Sequence, residues 1–242
     1  MLTALLNEID QLKIELNQLR PLDSQSVCYA LDIEYTYESN RIEGNTLTLS
    51  ETALVIDKGM TVSGKSLREH LEAINHYQAV QLLKEFVHAQ IPLTENLIKQ
   101  FHALILQSID RKNAGIYRSQ AVMIVGSSHI PPVHFEVPEK MEKCLDWFNQ
   151  QMQNKTLHPV VLAAQMHERI VSIHPFIDGN GRTSRLIMNL ILMQNGYPIA
   201  NISGEQASRF RYYDALESCH GGDKSQFSLF IAQEVKNCMT IQ

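Results

Sequence analysis

The stretch HPFIDGNGRTSR, His174 to Arg185, gathers a base, a carboxylate, a turn of small residues and two guanidiniums into one short run. An imidazole such as that of His174 has an unperturbed pKa of about 6.5, so it can accept a proton at neutral pH and return it. Asp178 is a lone carboxylate beside an anion-sized turn, the usual way Mg²⁺ is held with phosphate and water oxygens. Gly179, Asn180 and Gly181 tolerate positive φ, which lets successive N–H groups converge into a nest for a phosphate. The apolar run Leu186 to Met193 then begins a helix whose free N–H groups and dipole point at the same nest. Arg182 and Arg185 lie three apart on its first turn, where cations are disfavoured by a few tenths of a kcal/mol unless an anion compensates. A polyphosphate supplies that anion. Pro175 and Phe176 are structural, one fixing the backbone and the other anchoring the loop in the core.

HPFIDGNGRTSR resembles the signature of Fic-domain proteins, HPFxDGNGRxxR, at every fixed position. The resemblance implies an all-α fold, a Fic-like helical domain with a small β-hairpin flap over the active site. It further implies transfer of AMP from Mg²⁺-ATP to a hydroxyl side chain of a protein, with release of pyrophosphate. In those terms His174 deprotonates the hydroxyl and Asp178 carries Mg²⁺. Gly179, Asn180, Gly181 and Arg182 hold the α and β phosphates, and Arg185 reaches the γ-phosphate. Members with lysine in the nest transfer a phosphate instead, and Gly181 argues against that branch.

Upstream, SNRIEG at 39–44 resembles the inhibitory motif [S/T]xxxE[G/N] of the same family, with Ser39, Glu43 and Gly44 at the fixed places. On sequence physics alone Glu43 is a last-turn acid slightly disfavoured by the helix dipole. The resemblance implies competition: a bidentate Glu43–Arg185 pair would deny that guanidinium to the γ-phosphate and leave ATP misaligned. The inhibitor would then belong to the same chain as the site.

With 242 residues the chain can hold one sizeable core, read here as an N-terminal helical region over 1–60 packed as one unit with a catalytic core over 61–242. Net charge is −5 and no basic block occurs, which argues against a nucleic-acid surface. Cys28, Cys144, Cys219 and Cys238 are scattered, without zinc or redox spacing, and suit reduced thiols in a cytoplasmic protein. No basic and apolar leader opens the sequence, and no apolar run is long enough for a membrane span.

Leu2, Leu5, Ile9, Leu12, Leu16 and Leu19 step by three and four, the seam of a helix ended by Pro21. That seam either docks on the chain's own domain or makes a homodimer contact. A second helix is expected from Ser24, with Val27, Ala30, Leu31 and Tyr35 inward. Capping boxes at Thr48–Glu51 and Ser66–Glu69 open helices to about Lys58 and Gln90, the latter with Leu67, Leu71, Ile74, Ala79, Leu82, Leu83 and Phe86 as core. Thr94 caps another, and His70, His76, His88 and His102 read as surface or satisfied core. Ala121 to Val125 is a plausible strand, Gly126 to Ser128 a turn, and Pro131 and Pro132 keep the return arm extended. The resemblance makes this hairpin a flap that pairs with the target by strand addition, bringing Val125, Gly126 and His129 toward the nucleotide. Later helices start at Pro138, Pro159, Glu205 and Asp223. The family places a tyrosine and a later polar residue around adenine. Tyr213 matches the first, and His220 stands where an asparagine is common.

Three functions follow for comparison. The first is a self-inhibited adenylyltransferase acting on a protein hydroxyl, its own chain included. The second is AMP removal with Glu43 orienting a water. The third is a nucleotide-sensing module without turnover.

Overall fold

The capping boxes, prolines and glycines punctuate the chain where the sequence places them. The computed structural model describes residues 1–19, 25–220 and 222–240, with nothing said of the side chains of 17–19. Ten α-helices occur among these, besides a 3-10 turn at His134–Glu136: α1 (Leu2–Leu19), α2 (Gln25–Ile42), α3 (Leu49–Lys58), α4 (Leu67–His88), α5 (Glu95–Leu106), α6 (Val137–Asn154), α7 (Pro159–Ile173), α8 (Asn180–Gln194), α9 (Gln206–His220) and α10 (Ser225–Thr240). Pro21 and Ser24, the expected stop and start between α1 and α2, lie outside the described residues, as does the side chain of Leu19. None of the described helices is long and apolar enough to cross a membrane.

Both capping boxes form. Thr48 and Ser66 accept from the backbone N–H of Glu51 and Glu69, whose side chains reach back to the cap N–H groups. Gly59 ends α3 in the left-handed conformation, φ 60°.

The core is built on α7 and α8, joined by the loop 174–179 and packed against each other. Val160 to Ala164, Met166 and Ile170 of α7 and Leu186 to Leu192 of α8 are buried, so both helices are enclosed nearly all round, with His167, Glu168 and Asn189 as polar residues inside. Around this pair stand α4, α5, α6 and α10, with α1 on α10 and α2 and α3 on α4. One apolar cluster runs from Leu6 and Ile9 to Val235 and Met239. Thus α1 lays its seam on the chain's own last helix. Lys236 with Glu8 at 2.6 Å, and the Tyr197 hydroxyl donating to Asp10 at 2.6 Å, fix it there.

Two expectations fail. In α2, Val27, Ala30 and Leu31 face outward, and the buried face is Asp32, Ile33, Tyr35, Thr36, Ser39, Asn40 and Ile42. It is polar because its partners are polar: Lys84 and Gln81 on Asp32, the Glu72 carbonyl on Asn40, and Arg185 on Ser39. Leu67 of α4 is likewise 71% exposed, while Glu72, Asn75 and His76 are buried.

The hairpin at 121–133 does not form, and the described residues contain no strand. Its return arm carries two prolines that have no N–H to donate, and its apolar side chains find no surface. Met123, Val125 and Ile130 are 89%, 100% and 86% exposed. The segment is an irregular loop with a turn from the Ile124 carbonyl to the Ser127 N–H at 3.3 Å.

Candidate active site

His174 caps the C-terminus of α7 in the left-handed region, φ 50° and ψ 59°, its N–H on the Ile170 carbonyl at 2.9 Å. That conformation costs an L-residue with a side chain about 1–2 kcal/mol, so surrounding contacts must hold it. Arg118 does so from outside the loop. Its Nε donates to the His174 carbonyl at 2.7 Å and its backbone N–H to the Pro175 carbonyl at 2.9 Å. Burial pushes the His174 pKa below its ordinary 6.5. The Val171 carbonyl opposes this, Arg118 pushes the same way as burial, and Glu43 and Asp178 pull it back up. The imidazole is therefore neutral at neutral pH.

The loop after His174 is closed by Asn180, whose Oδ1 accepts from the Phe176 N–H and whose Nδ2 donates to the Phe176 carbonyl, both at 2.9 Å. Phe176 is fully buried and stacks on His102 at 3.6 Å. His102 accepts at Nδ1 from the Gly115 N–H and donates at Nε2 to the Asp178 carbonyl, both 2.9 Å. Burial lowers its pKa to about 4, which keeps this neutral tautomer. The turn is thus held by a buried histidine from α5.

Of the three small residues, only Gly179 uses positive φ, 76°, with the Ile105 and His102 side chains packed too close for a Cβ to fit comfortably. Asn180 serves loop closure. Gly181 is already helical, and its lack of a side chain clears space: a Cβ there would lie 2.4 Å from Glu43 Oε1. The expected three-residue positive-φ nest is a glycine corner opening onto the first turn of α8.

Around this corner the charges are shared out. Asp178 is paired with Arg68 and, at 3.3 Å, with Arg182 Nη2. Burial alone would raise its pKa, but Arg182, the Gly179 N–H and Arg68 together hold it below the ordinary carboxylate value. Arg182 also meets Glu72 at 3.3 Å, and Glu72 accepts from Asn45 at 3.0 Å. Arg185 is 1% exposed. Its Nε donates to Ser39 Oγ at 3.0 Å and its Nη2 to the Ser39 carbonyl and to Glu43 Oε1, both at 2.8 Å. Glu43 sits in the turn after α2, its side chain 32% exposed. The pair is not the expected bidentate one: Glu43 meets Nη2 alone, which it shares with the Ser39 carbonyl, while Nε is turned to Ser39 Oγ. Two buried donors, Arg182 Nε and Arg185 Nη1, have no hydrogen-bond partner among the described residues. Both cations are ion-paired, but a buried N–H left without an acceptor costs about 1–3 kcal/mol, so this donor set fits phosphate oxygens. Among the described residues no cluster of three or more His, Cys, Asp or Glu could hold a metal alone. Asp178 by itself fits Mg²⁺, which takes few protein ligands and completes its shell with phosphate and water.

The loop 121–133 returns to the site at the end of α9. Glu217 accepts from Ser127 Oγ at 2.6 Å and from the Ser128 N–H at 2.8 Å. His129 contacts the Ser172 carbonyl through Nε2 at 2.8 Å and stacks on His220 at 4.0 Å. Tyr213 is two-fifths exposed, its hydroxyl donating to the Ile42 carbonyl at 3.3 Å beside Glu43.

Residues 92–192 match the Fic/DOC family model. Fic-1 from C. elegans is 30% identical, with TM-score 0.86 over 99% of this chain and 71% of that one. A Fic domain containing signaling protein from Bacteroides thetaiotaomicron is also 30% identical, with TM-score 0.85 over 96% of this chain and 95% of its own. The chain belongs to the Fic/DOC family. A Drosophila melanogaster protein named Protein adenylyltransferase Fic is 39% identical over 199 residues, 82% of this chain. The present chain spans 39% of the length of that relative and of the similar Drosophila willistoni protein.

Within the Fic frame, the structure brings Ser39, Glu43, Asp178, Gly181, Arg182 and Arg185 together. His129 and His220 also meet, which their separation in sequence did not show. Val125 and Gly126 stand out in solvent on the loop, away from any described partner. Sequence reasoning missed Arg68, Glu72, Arg118 and Glu217, and read His102 as surface or satisfied core. None has a local signal that gives its role: each meets a group far away in the chain.

Proposed function

We propose that the chain is a self-inhibited protein adenylyltransferase. It transfers AMP from Mg²⁺-ATP to a hydroxyl side chain of a protein, its own chain included, and releases pyrophosphate. The observation that carries this is the Glu43–Arg185 contact beside Gly181, where Arg185 Nη1 is left without an acceptor among the described residues. Neutral His174 accepts the proton of the target hydroxyl, whose oxygen forms the bond to the α-phosphorus as the bond to the β-phosphate oxygen breaks. The unpaired Arg182 Nε and Arg185 Nη1, with the free N–H groups opening α8, hold the phosphate oxygens and the departing pyrophosphate. Mg²⁺, when bound through Asp178, neutralises phosphate charge. Tyr213, His129 and His220 border the base, with the loop 121–133 over the target.

Inhibition follows from occupancy. Glu43 uses the Arg185 donor and the volume beside Gly181 that a γ-phosphate would need. A charge-assisted hydrogen bond is worth about 1.5–3 kcal/mol, so losing it accounts for roughly ten- to hundredfold, and further suppression comes from misaligned phosphates. Intact-mass measurement after incubation with Mg²⁺-ATP tests the proposal. The Glu43→Gly protein gains AMP, wild type gains little and Glu43→Gly with His174→Ala gains none. No adduct on any protein in the assay would remove the reading.

One observation favours a second activity. The Glu43 side chain is partly exposed and bonds Arg185 through one oxygen only, leaving the other to orient a water against an AMP phosphodiester. In that reading Glu43→Gly slows AMP release from a modified protein instead of speeding its formation. ATP binding without transfer by any Glu43 variant would indicate a nucleotide-sensing module.

A further inference from the structure

Arg118 is 3% exposed and spends its guanidinium on backbone carbonyls. Nε donates to His174, Nη1 to Gln120 at 3.0 Å, and Nη2 to Pro132, with the Ile173 carbonyl 3.5 Å away. No described carboxylate contributes to its electrostatics, and burial alone lowers its pKa. A cation taken out of water without a counter-charge is stable only where oriented carbonyl dipoles replace hydration, and here they come from separate segments. Gln120 and Pro132 bracket residues 121–131 of the loop. The same fork therefore cinches that loop at its base and grips the carbonyl of the left-handed His174. Only the planar, multi-donor guanidinium can span such an arrangement, since an ammonium is a point donor on a flexible stem.

We infer that Arg118 is a positioning residue for AMP transfer, setting the His174 imidazole in register with the loop that receives the target hydroxyl. The inference rests on the adenylyltransferase reading above. Arg118 itself meets only the carbonyls of His174, Gln120, Pro132 and Ile173, whereas Asp178 and Glu43 are met by Arg182 and Arg185. Its removal therefore acts on alignment and leaves nucleotide affinity in place.

The test uses the full chain carrying Glu43→Gly, comparing the parent with added Arg118→Lys and Arg118→Ala. AMP transfer is followed by intact mass and ATP binding by calorimetry. Arg118→Lys is expected to slow transfer tenfold or more while the Kd for ATP stays within threefold. Millimolar guanidinium chloride is expected to restore part of the Arg118→Ala rate, where sodium chloride of the same ionic strength does not. An active parent with unchanged transfer in Arg118→Lys overturns the inference. So does parallel loss of ATP binding and transfer in both variants without guanidinium rescue, which would make Arg118 a folding residue. A parent that binds ATP but transfers nothing to any protein sinks the adenylyltransferase reading, and this inference with it.

Discussion

A Cβ on Gly181 would stand 2.4 Å from Glu43 Oε1, so the small residue beside Arg185 exists in this state to admit a carboxylate. Since Gly181 is helical, its conformational freedom is not what is used there. Overpacking at such a site costs about 1–3 kcal/mol, and contacting residues couple by about 0.5–3 kcal/mol. Gly181→Ala should therefore destabilise wild type clearly and the Glu43→Gly background much less. Urea unfolding of the four proteins measures the coupling. Equal losses in both backgrounds would mean the carboxylate does not press on Gly181.

Arg68 holds Asp178 with a side chain 55% exposed, and so stands where a divalent cation would need a free carboxylate. An exposed pair is worth about 0.2–1 kcal/mol, up to roughly fivefold in affinity. In the Glu43→Gly background, Arg68→Ala should lower the Mg²⁺ concentration for half-maximal transfer by up to about that factor. If the requirement rises instead, Arg68 is a phosphate ligand and not a competitor for the metal.

On the proposed mechanism His174 must be unprotonated to accept the hydroxyl proton, so transfer is expected to rise with pH as His174 loses its own. Burial sets that pKa below 6.5, and Glu43 is one of the groups pulling it up. For Glu43→Gly protein, kcat/KM plotted against pH should have its acidic limb below 6.5, and activity should be flat from there through neutral pH. A limb at or above 6.5 would show that another group titrates.

His102 is neutral in the fold with a pKa of about 4, against 6.5 for the free side chain. Between those values the unfolded chain binds more protons, so stability present above 6.5 is lost as pH falls toward 4. At pH 5 this group alone removes about 2 kcal/mol, because each tenfold difference in proton affinity between the folded and unfolded chain is worth about 1.4 kcal/mol. Urea midpoints at pH 7.5 and pH 5 should differ accordingly, and His102→Gln should flatten the difference while lowering stability at neutral pH. An unchanged pH dependence in that variant would remove His102 from the account.

What the sequence alone determined is local. Thr48, Ser66 and Thr94 cap their helices because a side-chain oxygen meets an N–H three residues on, and the bounds of α3, α4 and α5 follow. The signature and the upstream glutamate were legible because their chemistry is written in consecutive residues and in a family resemblance. The tertiary structure decided what depends on distant partners. It turned the inward face of α2 polar, since that helix packs on Arg185 and α4 and not on an apolar layer. It dissolved the expected hairpin, because strand propensity near Val125 cannot act without donors on the proline-bearing arm. It also made the Glu43 pair single and gave Arg118 and His102 their roles. Such contacts join residues 56, 76 and 142 positions apart, which no periodicity reports, because long-range hydrogen bonds are chosen only once the core has fixed which backbones face each other.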